Sequence, residues 1–372
     1  MVICNRIGRL GLALCVLAAC ASLSLAQSQA PSACARDLEA VAETLQHNYA
    51  GYTHAKKMLG KRLDEALAAA RKAAVGASGA KGDAVIRQFL AVFEDGHLLL
   101  SSRFSPPVNM PPPLFHAKRA PLARALSDRA FLLRVPSFAI GYKAELDALL
   151  EQHKDAIRAR ATLIVDVRGN TGGADSTWTH LIDPIYSQPM KRWGIRWRPT
   201  EDNARAIEEQ IAQLRKGSRA PAAVCEAMQQ NANDMRKQRH KDLVRLGPPL
   251  VPLVTLPEVW PSPDRVAIIV DGSCGSSCEN FLLAARQSSK VIVFGARTYG
   301  AIDFQNVRMA DLPSGERQLR FAMSISERVF AAKQRQRGLI PNVELPPQVL
   351  RDPEAAIEHV LRALDSKSGG AP

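Results

Sequence analysis

The segment VAIIVDGSCGSSCE, residues 266–279, decides how this chain reads. Its first five residues, Val266 to Val270, are all apolar and too few for a helix of their own. They show no apolar–polar alternation, so they read as a strand buried on both faces. Gly272 and Gly275 permit a tight turn, and the pattern predicts a helix from Ser276 to Arg286. Strand, glycine turn and helix in that order put Ser276 at the helix mouth. There it stands beside backbone N–H groups without intrahelical partners, at the positive end of the helix dipole. A serine nucleophile whose tetrahedral oxyanion must be held needs this environment. The same spacing, Ser276-x-x-Glu279, is also a capping box, in which the serine only starts a helix.

Two further segments carry chemistry. LIVDVRGNTGG, residues 163–173, is a short apolar strand running into a turn with adjacent glycines. Gly172 and Gly173 let backbone N–H groups approach one point closely, which is how a second oxyanion donor is supplied. FEDGH, residues 93–97, ends a helix at Gly96 and presents His97, a side chain suited to deprotonate a hydroxyl near neutral pH.

Around these segments the chain alternates between apolar strands and helices. Residues 36–94 carry apolar positions at three- and four-residue steps and predict an N-terminal helical region, within 27–104. A proline-rich connection follows at 105–121. Strands are predicted at Phe131–Val135, Thr162–Val167, Val266–Val270 and Val291–Phe294, with helices at Tyr142–Arg158 and 176–186. Residues 201–245 form a charged, mostly helical insertion, 318–330 an exposed strand, and Asp352-Pro353 starts a final helix reaching Leu364. This alternation argues for an α/β core over residues 122–365 with a covered sheet, followed by a disordered tail at 366–372.

Asp95-Gly96-His97, then LIVDVRGNTGG, then GSSCE at 275–279, then GARTYG at 295–300, then GLIPNVE at 338–344 resemble, in order and spacing, the tail-specific (C-terminal processing) and tricorn-core serine peptidases. FLLRVPSF, residues 131–138, resembles the strand that opens their core. The resemblance covers about residues 35–360. It implies a ClpP/crotonase-like core of stacked ββα units with an N-terminal helical cap. It also implies Ser276 as nucleophile, Ser277 N–H with a Gly172 or Gly173 N–H as oxyanion hole, and His97 as base. The substrate it implies is a peptide or an unfolded protein end.

The chain departs from the family pattern at four places, one of them Leu98, which follows Asp-Gly-His where the family commonly has Thr or Ser. The lysine that serves as base in the tail-specific branch is replaced by Ala301, which leaves the tricorn-like pairing of serine with histidine. No acidic residue stands just before Gly338, so Asp303 and Glu327 are the candidates to orient His97. Only about 35 residues separate His97 from Phe131, short of the roughly 50 that an inserted PDZ domain needs. These departures keep a second reading open: a catalytically inactive peptidase-fold protein that binds peptides or apolar ligands.

The first 26 residues read as a signal peptide, with Arg6 and Arg9 ahead of an apolar run too short to span a bilayer. Cleavage after Ala26 competes with Leu17-Ala18-Ala19-Cys20, which resembles a lipoprotein leader and would make Cys20 a lipidated, membrane-anchored residue. Both routes export the protein to the periplasm and argue against a nucleic-acid partner, although the net charge is +13. Cys34, Cys225, Cys274 and Cys278 follow the leader, an even number for an oxidising compartment. Cys274 and Cys278 either bridge locally, or Cys278 packs inward while Cys274 pairs with Cys225 or stays free. No histidine pair stands at metal-ligand spacing, and neither a metal nor a cofactor is expected.

Overall fold

Strands that are apolar at every position need a layer on each face, and the chain supplies both. The computed structural model describes residues 31–105, 120–217, 221–247, 249–331 and 337–368. The leader, Cys20, most of the proline-rich connection and the extreme C-terminus lie outside the described residues. The described residues from Ser32 onward form one unit.

Four helices come first: α1 (Ala33–Asn48), α2 (Tyr52–Leu59), α3 (Lys61–Ala74) and α4 (Gly79–Ala91). Ser32 Oγ accepts from Ala35 N–H at 3.0 Å and caps α1. After β1 (Leu99–Ser102) come β2 (Leu122–Ala125), β3 (Ala130–Arg134), α5 (Lys143–Gln152), α6 (Lys154–Arg158) and β4 (Thr162–Asp166). An excursion contains β5 (Met190–Lys191), β6 (Ile195–Trp197), α7 (Glu201–Lys216), α8 (Ala222–Lys237) and β7 (Leu253–Val254). The chain then forms β8 (Arg265–Val270), α9 (Ser277–Ala285), β9 (Val291–Gly295), β10 (Phe304–Asp311), β11 (Arg317–Ser326) and α10 (Arg328–Ala331). It ends with β12 (Val343–Glu344), α11 (Pro347–Arg351) and α12 (Pro353–Ser368).

The main sheet runs β12-β9-β8-β4-β3-β2, parallel except for β2. Leu133, Val165 and Ile268 face one core with Phe281 and Leu282 of α9, while Leu132, Ile164 and Ile269 face the other with Ile357 and Val360 of α12. That double burial is why these strands read as unbroken apolar runs. Arg168, fully buried, donates to both oxygens of Asp166 and to the carbonyls of Leu350 and Asp352, which docks the C-terminal segment on the sheet.

A second sheet, β1-β11-β10 with β6 also on β11, joins the helical cap to the core. Leu319, Phe321 and Ile325 pack under α1–α4, and Met323 packs with α7 and α8. The strand expected to be exposed at 318–330 is therefore buried, because two helical layers cover it, and it ends at Ser326. Its buried Arg317 binds Asp37 of α1 (2.9 Å) and Asp83 of α4 (2.7 Å). Three other expectations change. The helix over 142–158 breaks at His153, and α12 runs on to Ser368 where disorder was expected. The 176–186 stretch forms two 3₁₀ turns, Asp175–Thr177 and Thr179–Ile182, because Thr179 Oγ1 donates to the Ser176 carbonyl (3.1 Å) and hydroxyls that compete for backbone favour turns. No helix among the described residues is long and apolar enough to cross a membrane.

Candidate active site

Because β4 and β8 are neighbouring parallel strands, the turns after them emerge at the same carboxyl end of the sheet, where open α/β sheets place their sites. Asp271, fully buried, joins the two turns: one oxygen accepts from Gly169 N–H (3.0 Å), the other from Ser273 N–H (3.0 Å). Ser276 follows at φ 57°, ψ −121°, in the left-handed region that a non-glycine residue enters only when its surroundings impose it. Its own N–H donates to Glu279 Oε2 (3.2 Å), and the Glu279 N–H donates to the Ser276 carbonyl (2.9 Å). The two residues stand in a capping-box arrangement. Ser276 is half-buried and reachable from solvent.

Glu279 does more than cap. Its buried carboxylate also accepts from Thr298 Oγ1 (2.6 Å), Gly300 N–H (2.9 Å) and Ala301 N–H (2.8 Å), which ties the GARTYG loop to the nucleophile turn. Burial pushes its pKa up, and those donors pull against that shift. Leu339 N–H donates to Thr298 Oγ1 (2.6 Å), so the GLIPNVE segment docks on the same loop. Cys274 and Cys278 are joined by a disulfide with Cα atoms 5.4 Å apart, spanning Ser276; Cys34 and Cys225 are free and buried.

Beside Ser276 lies the glycine pair. A Cβ on Gly172 would stand 2.6 Å from the Gly275 carbonyl oxygen, 2.9 Å from Ser277 N and 3.0 Å from Ser276 Cβ, so only glycine fits. Gly172 N–H donates to Asn170 Oδ1 (2.9 Å), which removes Gly172 from the candidate oxyanion donors; its part is the missing side chain. Gly173 pairs with Phe138 through its neighbours, the Gly172 carbonyl and the Ala174 N–H, so its own N–H faces away from Phe138. Among the described residues neither Gly173 N–H nor Ser277 N–H has a partner.

His97 is buried. Its Nδ1 meets the Phe304 carbonyl oxygen at 2.6 Å, and a carbonyl only accepts, so Nδ1 carries the proton and Nε2 keeps its lone pair. Burial first, then the Arg320 charge, lower its pKa to about 4, against the Phe304 hydrogen bond that raises it. Tyr299 links this histidine to the nucleophile turn. Its hydroxyl donates to the Gly96 carbonyl (3.0 Å), its N–H donates to the Cys274 carbonyl (2.9 Å), and its ring lies against both Gly96 and Gly275. Ser276 and His97 make no hydrogen bond to each other. A cleft of about 570 Å³ beside the segment that carries His97 is lined by Arg87, Glu94, Gly96, Tyr299, Gly300 and Arg337, and neither Ser276 nor His97 lines it.

Neither acid proposed to orient His97 touches it. Asp303 is paired with Arg328, and Glu327 with Arg196 (3.0 Å) and Arg245 (2.6 Å); the Phe304 carbonyl takes the orienting position instead. Sequence reasoning gave no site role to Glu279, Tyr299, Asp271 or Asn170. Only Glu279 carried a signal, its capping spacing from Ser276. No cluster of metal-binding side chains occurs among the described residues.

A serine at a strand–turn–helix junction beside two open N–H groups, with a neutral histidine on the segment that Tyr299 ties to the same turn, is an arrangement that the class of serine hydrolases uses. The sequence pattern of Peptidase family S41 matches residues 130–345, and the chain belongs to that family; it is a peptidase of the serine class. Its fold is similar to that of mature CPAF complexed with lactacystin (TM-score 0.59, 12% identity, 89% of this chain and 98% of that one). It is also similar to a putative peptidase from Parabacteroides merdae (TM-score 0.53, 16% identity, 89% and 97%). At such identities the likeness is one of fold. No curated protein matches the chain in sequence.

Proposed function

We propose that the chain is an exported serine endopeptidase that cleaves peptides or unfolded protein ends through an acyl-enzyme on Ser276, with His97 as base. The observation that carries this reading is Ser276 itself, held at φ 57° at the mouth of α9 beside the unpartnered N–H groups of Ser277 and Gly173. As Ser276 Oγ attacks the scissile carbonyl, its proton passes to His97 Nε2 and the oxyanion forms between the two N–H groups. The amine leaves with that proton, and water then hydrolyses the ester. The peptide lies as an added strand against a sheet edge.

The leader and the Cys274–Cys278 disulfide support export. The mature protein is periplasmic, either soluble after cleavage at Ala26 or anchored through a lipidated Cys20, and the mass of its N-terminus distinguishes the two. One observation favours the non-catalytic binder: among the described residues the His97 ring hydrogen-bonds a backbone carbonyl and neither a carboxylate nor Ser276. A fluorophosphonate probe separates the readings. Labelling of the folded protein that is absent in Ser276→Ala supports the peptidase, and no labelling of folded protein supports the binder.

A further inference from the structure

The two open N–H groups belong to different elements, Gly173 to the turn after β4 and Ser277 to α9. No backbone hydrogen bond joins residues 173–178 to residues 276–280. Side chains make the connection. Ser277 Oγ donates to Asp175 Oδ1 (2.6 Å) and accepts from Trp178 Nε1 (3.0 Å), while Asn280 Nδ2 donates to Asp175 Oδ2 (3.0 Å). The Ser277 hydroxyl thus has its proton and an acceptor lone pair both fixed, one of them in a short bond to a carboxylate. The spacing it sets is tight, since a single Cβ on Gly172 would already stand 2.9 Å from Ser277 N.

We propose that Asp175 is a positioning residue: acting through the Ser277 hydroxyl, with Trp178 and Asn280, it sets the separation of the Gly173 and Ser277 N–H groups. The inference rests on the reading of Ser276 as nucleophile and gives that site the clamp its oxyanion hole requires. Donors aimed at an oxyanion act on the transition state and barely on bound substrate, and small misplacements cost much rate. A loop anchor with no such part would instead change KM or thermal stability.

Peptide turnover by Asp175→Ala, Asp175→Asn, Ser277→Ala and the Asp175→Ala/Ser277→Ala pair tests the clamp. The Ala variants should lose roughly 10- to 100-fold in kcat, with KM within about threefold and the melting temperature unchanged. Asp175→Asn, whose amide oxygen still accepts, should recover part of the loss. The double variant should be no slower than the slower single one, because both act through one hydrogen bond. A kcat within twofold of wild type in Asp175→Ala, a loss confined to KM, or losses that multiply in the double variant would each overturn the proposal. Amide NMR in a Ser276→Ala background decides it without turnover: Asp175→Ala should shift the Gly173 and Ser277 resonances, and unmoved resonances would also overturn it. Wild-type protein that no fluorophosphonate labels would defeat the nucleophile reading instead, and the amide shifts would still judge the clamp.

Discussion

Around Ser276 nearly every neighbour is fixed, by long-range bonds from Asp271 to Gly169, Glu279 to residues 298–301 and Ser277 to Asp175 and Trp178, and by the local Cys274–Cys278 disulfide. Around His97 the ring bonds the Phe304 carbonyl, and its neighbours are tied by tyrosine hydroxyls, Gly96 by Tyr299 (3.0 Å) and Asp95 by Tyr49 (2.9 Å). The first region lies on the ends of the central parallel strands, whose register is set by two cores. The second lies at the seam between helical cap and core. On the proposed mechanism, the contrast teaches that the electrostatic half of the reaction is built into the sheet, whereas the proton-transfer half depends on how the cap seats against it.

Substitutions can break that contrast, and the largest effect belongs to the nucleophile. Ser276→Ala should lower peptide hydrolysis by at least roughly four orders of magnitude while the melting temperature stays within a few degrees. A cap at a helix start is worth about 1 kcal/mol at most here. Turnover retained in that variant would remove Ser276 from the mechanism.

His97→Ala should cost at least roughly 100-fold in the acylation rate. With the His97 pKa lowered to about 4, the acid limb of kcat/KM should lie near that pH and not near 6.5, leaving a flat profile from about 5.5 to 8. The same shift bears on stability. A histidine buried neutral binds protons less well folded than unfolded, so stability falls as pH drops below 6.5 and the loss is complete near 4, about 3 kcal/mol in all. Acid titration of the unfolding free energy should show that loss in wild type and lack it in His97→Ala. An acid limb near 6.5 would mean that the seam is open enough to hydrate the ring.

Replacing Cys274 and Cys278 together by serine should lower stability by about 2 kcal/mol and kcat by roughly tenfold, since the loop that positions Ser276 loosens. Unchanged kcat would show that Glu279 and Asp271 suffice to hold the turn. The smallest effect belongs to Glu327→Gln. Its partners are surface arginines, so kcat should stay within twofold and stability within about 1 kcal/mol. A hundredfold loss there would restore Glu327 as the orienting acid.

Much of this could be read from the residues. The central strands of the main sheet are apolar between their ends, and glycines mark the turns, so Ser276, Gly172 and Gly173 stand where the pattern put them. The rest depended on tertiary context. β11 alternates poorly because helices cover both of its faces. The partner of His97 is a backbone carbonyl, and a carbonyl leaves no trace in residue identity. Gly172 is needed for its missing Cβ, which only the distance to Ser277 N reveals. Trp178 falls in a stretch that reads as helix and Asp175 just ahead of it, and their partner Ser277 is about 100 residues away, where no periodicity can signal it.

The most direct test of the central claim is to trap the intermediate. Wild-type protein mixed with a peptide substrate and quenched in acid within the first turnovers should yield a digest in which the peptide bearing Ser276 carries the acyl mass. That adduct should form at least roughly 100-fold more slowly in His97→Ala and be absent in Ser276→Ala. Hydrolysis with no covalent intermediate at any quench time, or an adduct mapping to Ser273 or Ser277, would contradict the account.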